Sequence, residues 1–416
     1  MTLKLKLLLA ILLLSLVPMG LSAQDFIPAD SLNVDSLLSP ITNLQEAPQQ
    51  EPQKFRGPFT QVFKKDTKFL RYLDGLVLGN EDHTFDKKFD VGFIVMPSYT
   101  REGSFGIGGG ATGLYRLDKT DSIMPPSDVT LIGNVTLNGL FSLVANGNNL
   151  FPGRKLRFSY KLEFAYSPLD FWGINYDACA VNPKISYTRQ MLKLNTDLVY
   201  RLKGPFYLGA AIDINFSHIL EADNWDYLAG QNDHYFFTGL GASFQYDTRD
   251  FIPNPSKGMY VKLKGSIRPQ FLSSFNRTLF NASLIYNYYL RMWKGAMFAF
   301  DLYASYNSPE SPWSLRESLG AGGIRMRGYY AGRYIDNCML SGQFEYRQHV
   351  YDRLGFALWV GTANVFHGYH ELRMDEFLPN WGIGLRVELK HNLNGRIDYG
   401  FGKNTGGFVF SIGEAF

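Results

Sequence analysis

LGAGGIRMRGYYAGRY, residues 319–334, runs directly into residues 337–416, where apolar and polar positions alternate as far as Phe416. A period of two places successive side chains on opposite faces of a strand. Strands that are apolar on one face and polar on the other build a wall between lipid and water. A long loop rich in Gly and Arg, set in front of such strands, implies a wall with more than an enclosing role.

The same alternation extends upstream. In residues 155–166, Leu156, Phe158, Tyr160, Leu162, Phe164 and Tyr166 share one face, and Arg157, Ser159, Lys161 and Glu163 share the other. In residues 186–202, Leu192, Leu194, Leu198, Tyr200 and Leu202 oppose Arg189, Lys193, Asn195, Asp197 and Arg201. In residues 259–268, Val261, Leu263 and Ile267 oppose Lys262, Lys264 and Arg268. Helical packing does not give this pattern. A soluble sandwich alternates over shorter strands, whereas these are long and densely charged on one face, which suits a water-filled interior. The pattern predicts strands at 89–99, 104–117, 128–137, 139–150, 154–167, 186–202, 205–218, 234–247, 257–269, 277–292, 295–306, 337–350, 353–366, 380–390, 394–402 and 407–416. The expected fold is all-β: a sixteen-stranded antiparallel transmembrane β-barrel over 89–416, behind a short helical or disordered lead. An even strand number fits a bacterial barrel.

The start of the chain reads as an export signal over 1–23. Lys4 and Lys6 precede the apolar run Leu7–Val17, and Leu21-Ser22-Ala23 offers a cleavage site. The run is shorter than the ~20 residues a spanning helix needs. Residues 24–88 read as a polar lead in which 59–78 has loose helical spacing: Phe59, Val62, Phe63, Phe69, Leu70 and Leu73. The lead is too short for a further folded domain. The 33 Phe, 25 Tyr and 41 Gly residues suit a barrel with aromatic girdles better than a soluble domain. The formal net charge of +3 gives no argument for nucleic acid. Cys179 and Cys338 are far apart in sequence, and spacing alone leaves their pairing open. With the N-terminus in the periplasm, connections after odd-numbered strands face outward. The longest, 307–336, is then extracellular by origin, and its length marks it as functional or disordered. Its Gly320, Gly322, Gly323 and Gly328 point to a specific backbone path.

The loop followed by Gln343-Phe344-Glu345-Tyr346-Arg347 resembles the sixth extracellular loop and twelfth strand of the Omp85 superfamily, the surface-antigen D15 barrel. Further pieces fall in that family's order: Phe171-Trp172-Gly173-Ile174; Asp247-Thr248-Arg249-Asp250 with Pro255 and Gly258; Gly382-Ile383-Gly384-Leu385-Arg386; and Arg396-Ile397-Asp398-Tyr399-Gly400. The resemblance covers about residues 89–416. It implies a sixteen-stranded barrel that inserts or translocates polypeptides, with Arg327, Gly328 and Tyr329 as a loop tip folded into the lumen. It implies that Arg327 latches onto acids of the inner wall. Glu345 matches one such position, and strand parity turns it inward beside Gln343 and Arg347. Where the family commonly has Asp in its thirteenth strand, this chain has Gly361, which leaves Glu345 alone or another acid such as Asp398. The lead contains no POTRA domain, so the chain resembles the short branch of the superfamily.

The seam between first and last strands holds Pro97, which donates no ladder hydrogen bond, and Gly407 and Gly413. The resemblance implies a lateral gate there; an ordinary closed seam is the other reading. Phe408, Phe410, Ile412 and Phe416 form an outward stripe resembling the signal by which barrels are recognised for assembly. Expected partners are therefore outer-membrane lipids, the assembly machinery as the chain's own inserter, and unfolded outer-membrane protein clients. No nucleic-acid partner and no cofactor are expected. No nucleophile motif appears, so no enzyme activity or catalytic residue is expected. His367, His370 and Glu371 lie close together in a loop, but such clusters are usually plain surface, and no metal is assigned. A passive small-solute pore and a structural barrel docking an envelope partner remain as other function classes.

Overall fold

The computed structural model describes residues 67–68 and 84–416, apart from 101–102, 122–123, 253, 321–322, 352 and 391–392. The expected signal over 1–23 lies outside the described residues. So do the lead as far as 83 and the helix over 59–78, residues 67 and 68 excepted, and Gly322 of the loop.

Sixteen long strands form one antiparallel sheet. They are β1 (Asp90–Thr100), β2 (Ser104–Tyr115), β3 (Ser127–Thr136), β4 (Phe141–Leu150), β5 (Leu156–Phe171), β6 (Ile185–Arg201), β7 (Phe206–Ala222) and β8 (His234–Asp247). Then follow β9 (Gly258–Arg268), β10 (Leu279–Arg291), β11 (Ala296–Asn307), β12 (Cys338–Tyr351), β13 (Leu354–Phe366), β14 (Leu378–Lys390), β15 (Leu393–Gly402) and β16 (Thr405–Ile412). Each pairs with its neighbour in sequence order. The two edge strands, β1 and β16, lie side by side, with no ladder between them among the described residues. Pro97 sits in edge strand β1, opposite Ile107 of β2.

The two faces are chemically inverted relative to a soluble protein. Leu162, Leu198, Leu208, Phe244, Leu263 and Ile383 are exposed on one face. Asp197, Ser243, Gln245, Asp301, Glu345 and Asp398 are buried on the other. A band of exposed Leu, Ile and Phe is stable only against lipid. The buried polar groups satisfy one another: Ser243 and Gln245 donate to Asp197 at 2.9 and 2.8 Å. Just after β2, Arg116 reaches the segment ahead of β1: its guanidinium lies 3.9 Å from the centre of the Phe85 ring and donates to Thr84 at 2.8 Å.

The connections after β5, β7, β9 and β11 share an apolar cluster at one end of the sheet. Phe171, Ile174, Leu228, Phe237, Trp313 and Tyr330 are among its members. One element there is absent from the strand pattern: a short helix, α1 (Tyr176–Val181), whose first turn is capped by Asn175 accepting from the Ala178 amide at 2.8 Å. The connection 308–337 is braced to it. The Tyr176 amide donates to Asp336 at 3.0 Å, and Arg316 donates to the Ile174 carbonyl at 2.5 Å. A two-residue ladder, Glu317–Ser318 with Ile335–Asp336, closes the base of the loop.

Cys179 and Cys338 are both free thiols and buried. Burial pushes the Cys179 thiol up to about 11, so little thiolate exists at neutral pH. Alkylation of the folded protein with iodoacetamide should leave Cys179 unmodified, whereas denatured protein should be modified fully. Mass spectrometry of the Cys179 peptide reads the difference, and rapid labelling in the native state would show that the cap at this end opens.

The C-terminal end departs from the expected 407–416 strand. Gly413 has φ +86°, a left-handed turn that ends β16 at Ile412. Phe416 therefore does not continue the outward stripe. It turns to the inner face and packs against Tyr289, Met297 and Ala299, and Arg347 donates to its carbonyl oxygen at 3.0 Å. The reason is charge: Glu414 is drawn inward to Arg386 at 2.9 Å, and the chain end follows it.

Candidate functional site

Arg327 is fully buried on the inner face of the sheet. Its guanidinium donates to Glu345 of β12 at 2.5 Å and to Asp398 of β15 at 2.9 Å, with a longer contact to Gln343 at 3.4 Å. The same group lies over Trp359 of β13, its central carbon 3.6 Å from the ring centre. Two carboxylates and an aromatic face thus hold one planar cation, which a lysine ammonium would not match.

The backbone of the tip is held as well. Asn380 of β14 donates to the Arg327 carbonyl at 2.5 Å, and Thr405 of β16 donates to the Gly328 carbonyl at 2.9 Å. Tyr329 donates to the Pro379 carbonyl at 2.7 Å and accepts from the Lys403 amide at 2.9 Å. Gly328 has φ +93°, and a Cβ there would stand 2.1 Å from the Gly400 carbonyl oxygen. Loop and wall therefore touch backbone to backbone, through a glycine on each side.

Around Arg327 the inner wall carries a dense ionic lattice. Arg386 bridges Asp398 at 2.6 Å, Glu414 at 2.9 Å and Glu345 at 3.3 Å. Arg396 donates to Asp398 at 2.9 Å and to the Gly323 carbonyl of the loop at 2.8 Å. Arg325, one turn of the tip earlier, binds Asp301 of β11 through two nitrogens, each at 2.7 Å. Arg347 pairs with Glu345 at 2.7 Å rather than with the loop. It stands behind the acid that Arg327 meets. Five guanidinium groups thus share four side-chain carboxylates, Asp301, Glu345, Asp398 and Glu414.

The position of Gly361 has a steric explanation. It lies opposite Gln343, and a Cβ there would come within 2.7 Å of the Gln343 Cβ. Gln343 uses that space to donate to Asp301 and to the Ile324 carbonyl, each at 3.2 Å. The acid on the other flank of Arg327 comes from β15 instead. Gly384 makes room for it, since a Cβ at 384 would be 2.0 Å from the Asp398 carboxylate.

Several members of this lattice were not singled out by sequence reasoning: Arg325 with Asp301, Trp359, Asn380, Arg386, Arg396 and Glu414. Strand parity carried the signal for Arg386 and Arg396, which share the inward face with Asp398. No such signal existed for Glu414, because it lies beyond the turn at Gly413. Gly407 sits opposite Gly400 in the β15–β16 ladder. His367 lies 3.0 Å from the Asn337 amide nitrogen, through its Nδ1, while His370 packs edge-on against Tyr369. They form no common ligand set with Glu371 among the described residues.

A cavity of about 630 Å³ is lined by Arg347, Arg386 and Glu414 among others. A second, of about 500 Å³, is lined by Tyr329, Tyr330 and Lys403 among others.

A sixteen-stranded sheet, apolar outside and ionic inside, with an arginine-tipped loop pinned to its inner wall, defines a class of outer-membrane protein. The Omp85 superfamily domain matches residues 134–416, from β3 to the chain end, and the chain belongs to that superfamily. That membership places the protein in the Gram-negative outer membrane. Among solved structures it is similar to BamA from Haemophilus ducreyi lacking POTRA domains 1–3, with 11% identity and a TM-score of 0.47, covering 78% of this chain and 70% of that one. It is also similar to CdiB from Acinetobacter baumannii, with 12% identity and a TM-score of 0.49, covering 78% of this chain and 60% of that one. CdiB from Escherichia coli gives 11% identity and a TM-score of 0.49, covering 78% and 60%. The chain thus spans less than two thirds of either CdiB. No curated protein sequence matches it.

Proposed function

We propose that this protein is a closed Omp85-type barrel that assists insertion or translocation of outer-membrane or surface proteins, without covalent chemistry. The connection 308–337 acts as a latch that plugs the lumen. The β1–β16 edge is the lateral opening, with Pro97 and Gly407 keeping its pairing weak. The observation that carries the reading is the full burial of Arg327 between Glu345 and Asp398. Burying a guanidinium at the end of a thirty-residue excursion is costly unless the site is built for it. Arg347 serves the latch by orienting Glu345. Clients enter from the periplasmic side, and the apolar band contacts outer-membrane lipid.

The test uses purified protein in planar bilayers and in proteoliposomes. Wild type should give small, flickering currents, and Arg327→Ala larger and longer openings. Wild-type proteoliposomes should also fold an added unfolded outer-membrane barrel faster than empty vesicles do. Large steady wild-type current that the substitution leaves unchanged, with no folding acceleration, would overturn the latch and favour a passive pore.

A further inference from the structure

A second cluster lies far from the loop tip, at the end of the sheet where 223–233 joins β7 to β8. His218 and His234 are register partners across the two strands, and their rings stand 5.6 Å apart, edge to face. Asp233 lies between them: one carboxylate oxygen is 2.7 Å from His234 Nδ1, and the other is 3.8 Å from His218 Nε2. The backbone beneath is ordered by the ladder, since the Ile219 amide donates to the Asp233 carbonyl at 2.8 Å. The neighbours of the histidines on the inner face, Ser217, Ile219 and Tyr235, are all buried. His218 and His234 therefore project from the other, lipid-facing side. They cap the column formed by the register partners Phe216 and Phe236. The cluster stands where that apolar column ends.

We propose that His218, Asp233 and His234 form a site for a divalent transition-metal ion of the zinc class. One ligand atom from each residue lies within 4.8 Å of the others. A tetrahedral ion with bonds of about 2.0–2.1 Å needs donors roughly 3.3 Å apart, between the 2.7 and 3.8 Å at which Asp233 already meets His234 and His218. Two imidazoles and one carboxylate select zinc, copper or nickel over calcium or magnesium, which take mainly oxygen. Three protein ligands leave a fourth position facing outward, open to water or to an anionic group at the membrane border. The ion would tie the outer ends of β7 and β8 together. The three residues are not among the partners of the Arg327 guanidinium, which are Glu345, Asp398 and Gln343.

The test uses tag-free full-length protein in detergent, titrated with Zn²⁺ against a chromophoric chelator, and with Co²⁺ as a spectroscopic stand-in. One equivalent should bind, with the intense visible absorption of four-coordinate cobalt. His218→Ala, His234→Ala and Asp233→Asn should each weaken binding by more than the roughly tenfold that loss of a mere supporting group costs. His370→Ala, a surface histidine elsewhere, should bind as wild type does. All four positions are at least partly exposed, so the variants should fold, and heat-modifiable gel mobility verifies it. Absence of stoichiometric zinc binding, six-coordinate cobalt spectra, or wild-type affinity in the three variants would each overturn the proposal.

Discussion

Gly400→Ala is expected to drive the loop tip off the inner wall. A Cβ at this position would stand 2.0 Å from the Arg327 carbonyl oxygen and 2.4 Å from its carbon. Both are backbone atoms, so no flexible side chain can yield. Relief requires moving Arg327, which breaks its contacts to Glu345, Asp398 and Asn380 together. Gly328→Ala meets the same wall from the other side and adds the strain of φ +93°. Gly342→Ala in β12 is the matched control, because its nearest neighbour is a Leu302 methyl at 4.0 Å. Trypsin digestion of folded protein reads the result. Gly400→Ala should be nicked at Arg325 or Arg327, positions protected in wild type and in the control. Bilayer current should rise in the same variant. An uncut loop with wild-type current would show that the tip is not held by this contact.

Asp398→Asn should destabilise the protein more than Arg327→Ala does. Asp398 accepts from Arg327, Arg386 and Arg396, while Glu345 keeps Arg347 and Arg386 if Arg327 is lost. Losing Arg327 leaves every carboxylate of the lattice partnered. Losing Asp398 takes a carboxylate from three buried guanidinium groups at once. Removing one partner from a buried ion set costs about 3–5 kcal/mol. The Asp398→Asn variant should therefore unfold at clearly lower urea concentration, while Arg327→Ala stays near wild type and changes mainly the current. Matching midpoints for wild type and Asp398→Asn would mean that the lattice is hydrated and well screened. The reverse order would place the stability in the loop rather than in the wall.

Strand alternation was enough to read sixteen strands, their order in one antiparallel sheet, and the inward direction of Glu345 and Arg347. It succeeds because lipid on one side and buried polar groups on the other punish any residue on the wrong face. It failed where that constraint ends. The helix α1 lies in the cap, away from lipid, and is set by the Asn175 cap. Beyond Gly413 the chain leaves the ladder, so parity wrongly sent Phe416 outward. With no acid at Gly361, sequence reading left Glu345 alone or a second acid such as Asp398 for Arg327, and the structure shows Asp398 on the other flank.

What the sequence by itself determined is therefore the wall: which segments are strands, which face of each is apolar, and which loop carries the Arg327 tip. The family resemblance offered Glu345 and Asp398 for that tip, and the tertiary structure decided that both meet Arg327 at once while Arg347 stands behind Glu345. Glu345 and Asp398 are brought together by the curvature and register of β12 to β15, a long-range arrangement that no local periodicity encodes. The fit of Gly328 against Gly400 belongs to the same class, because two backbones touch there and the closeness depends on where the whole sheet places them. Across the wall, His218 and His234 become neighbours only through the register of β7 with β8.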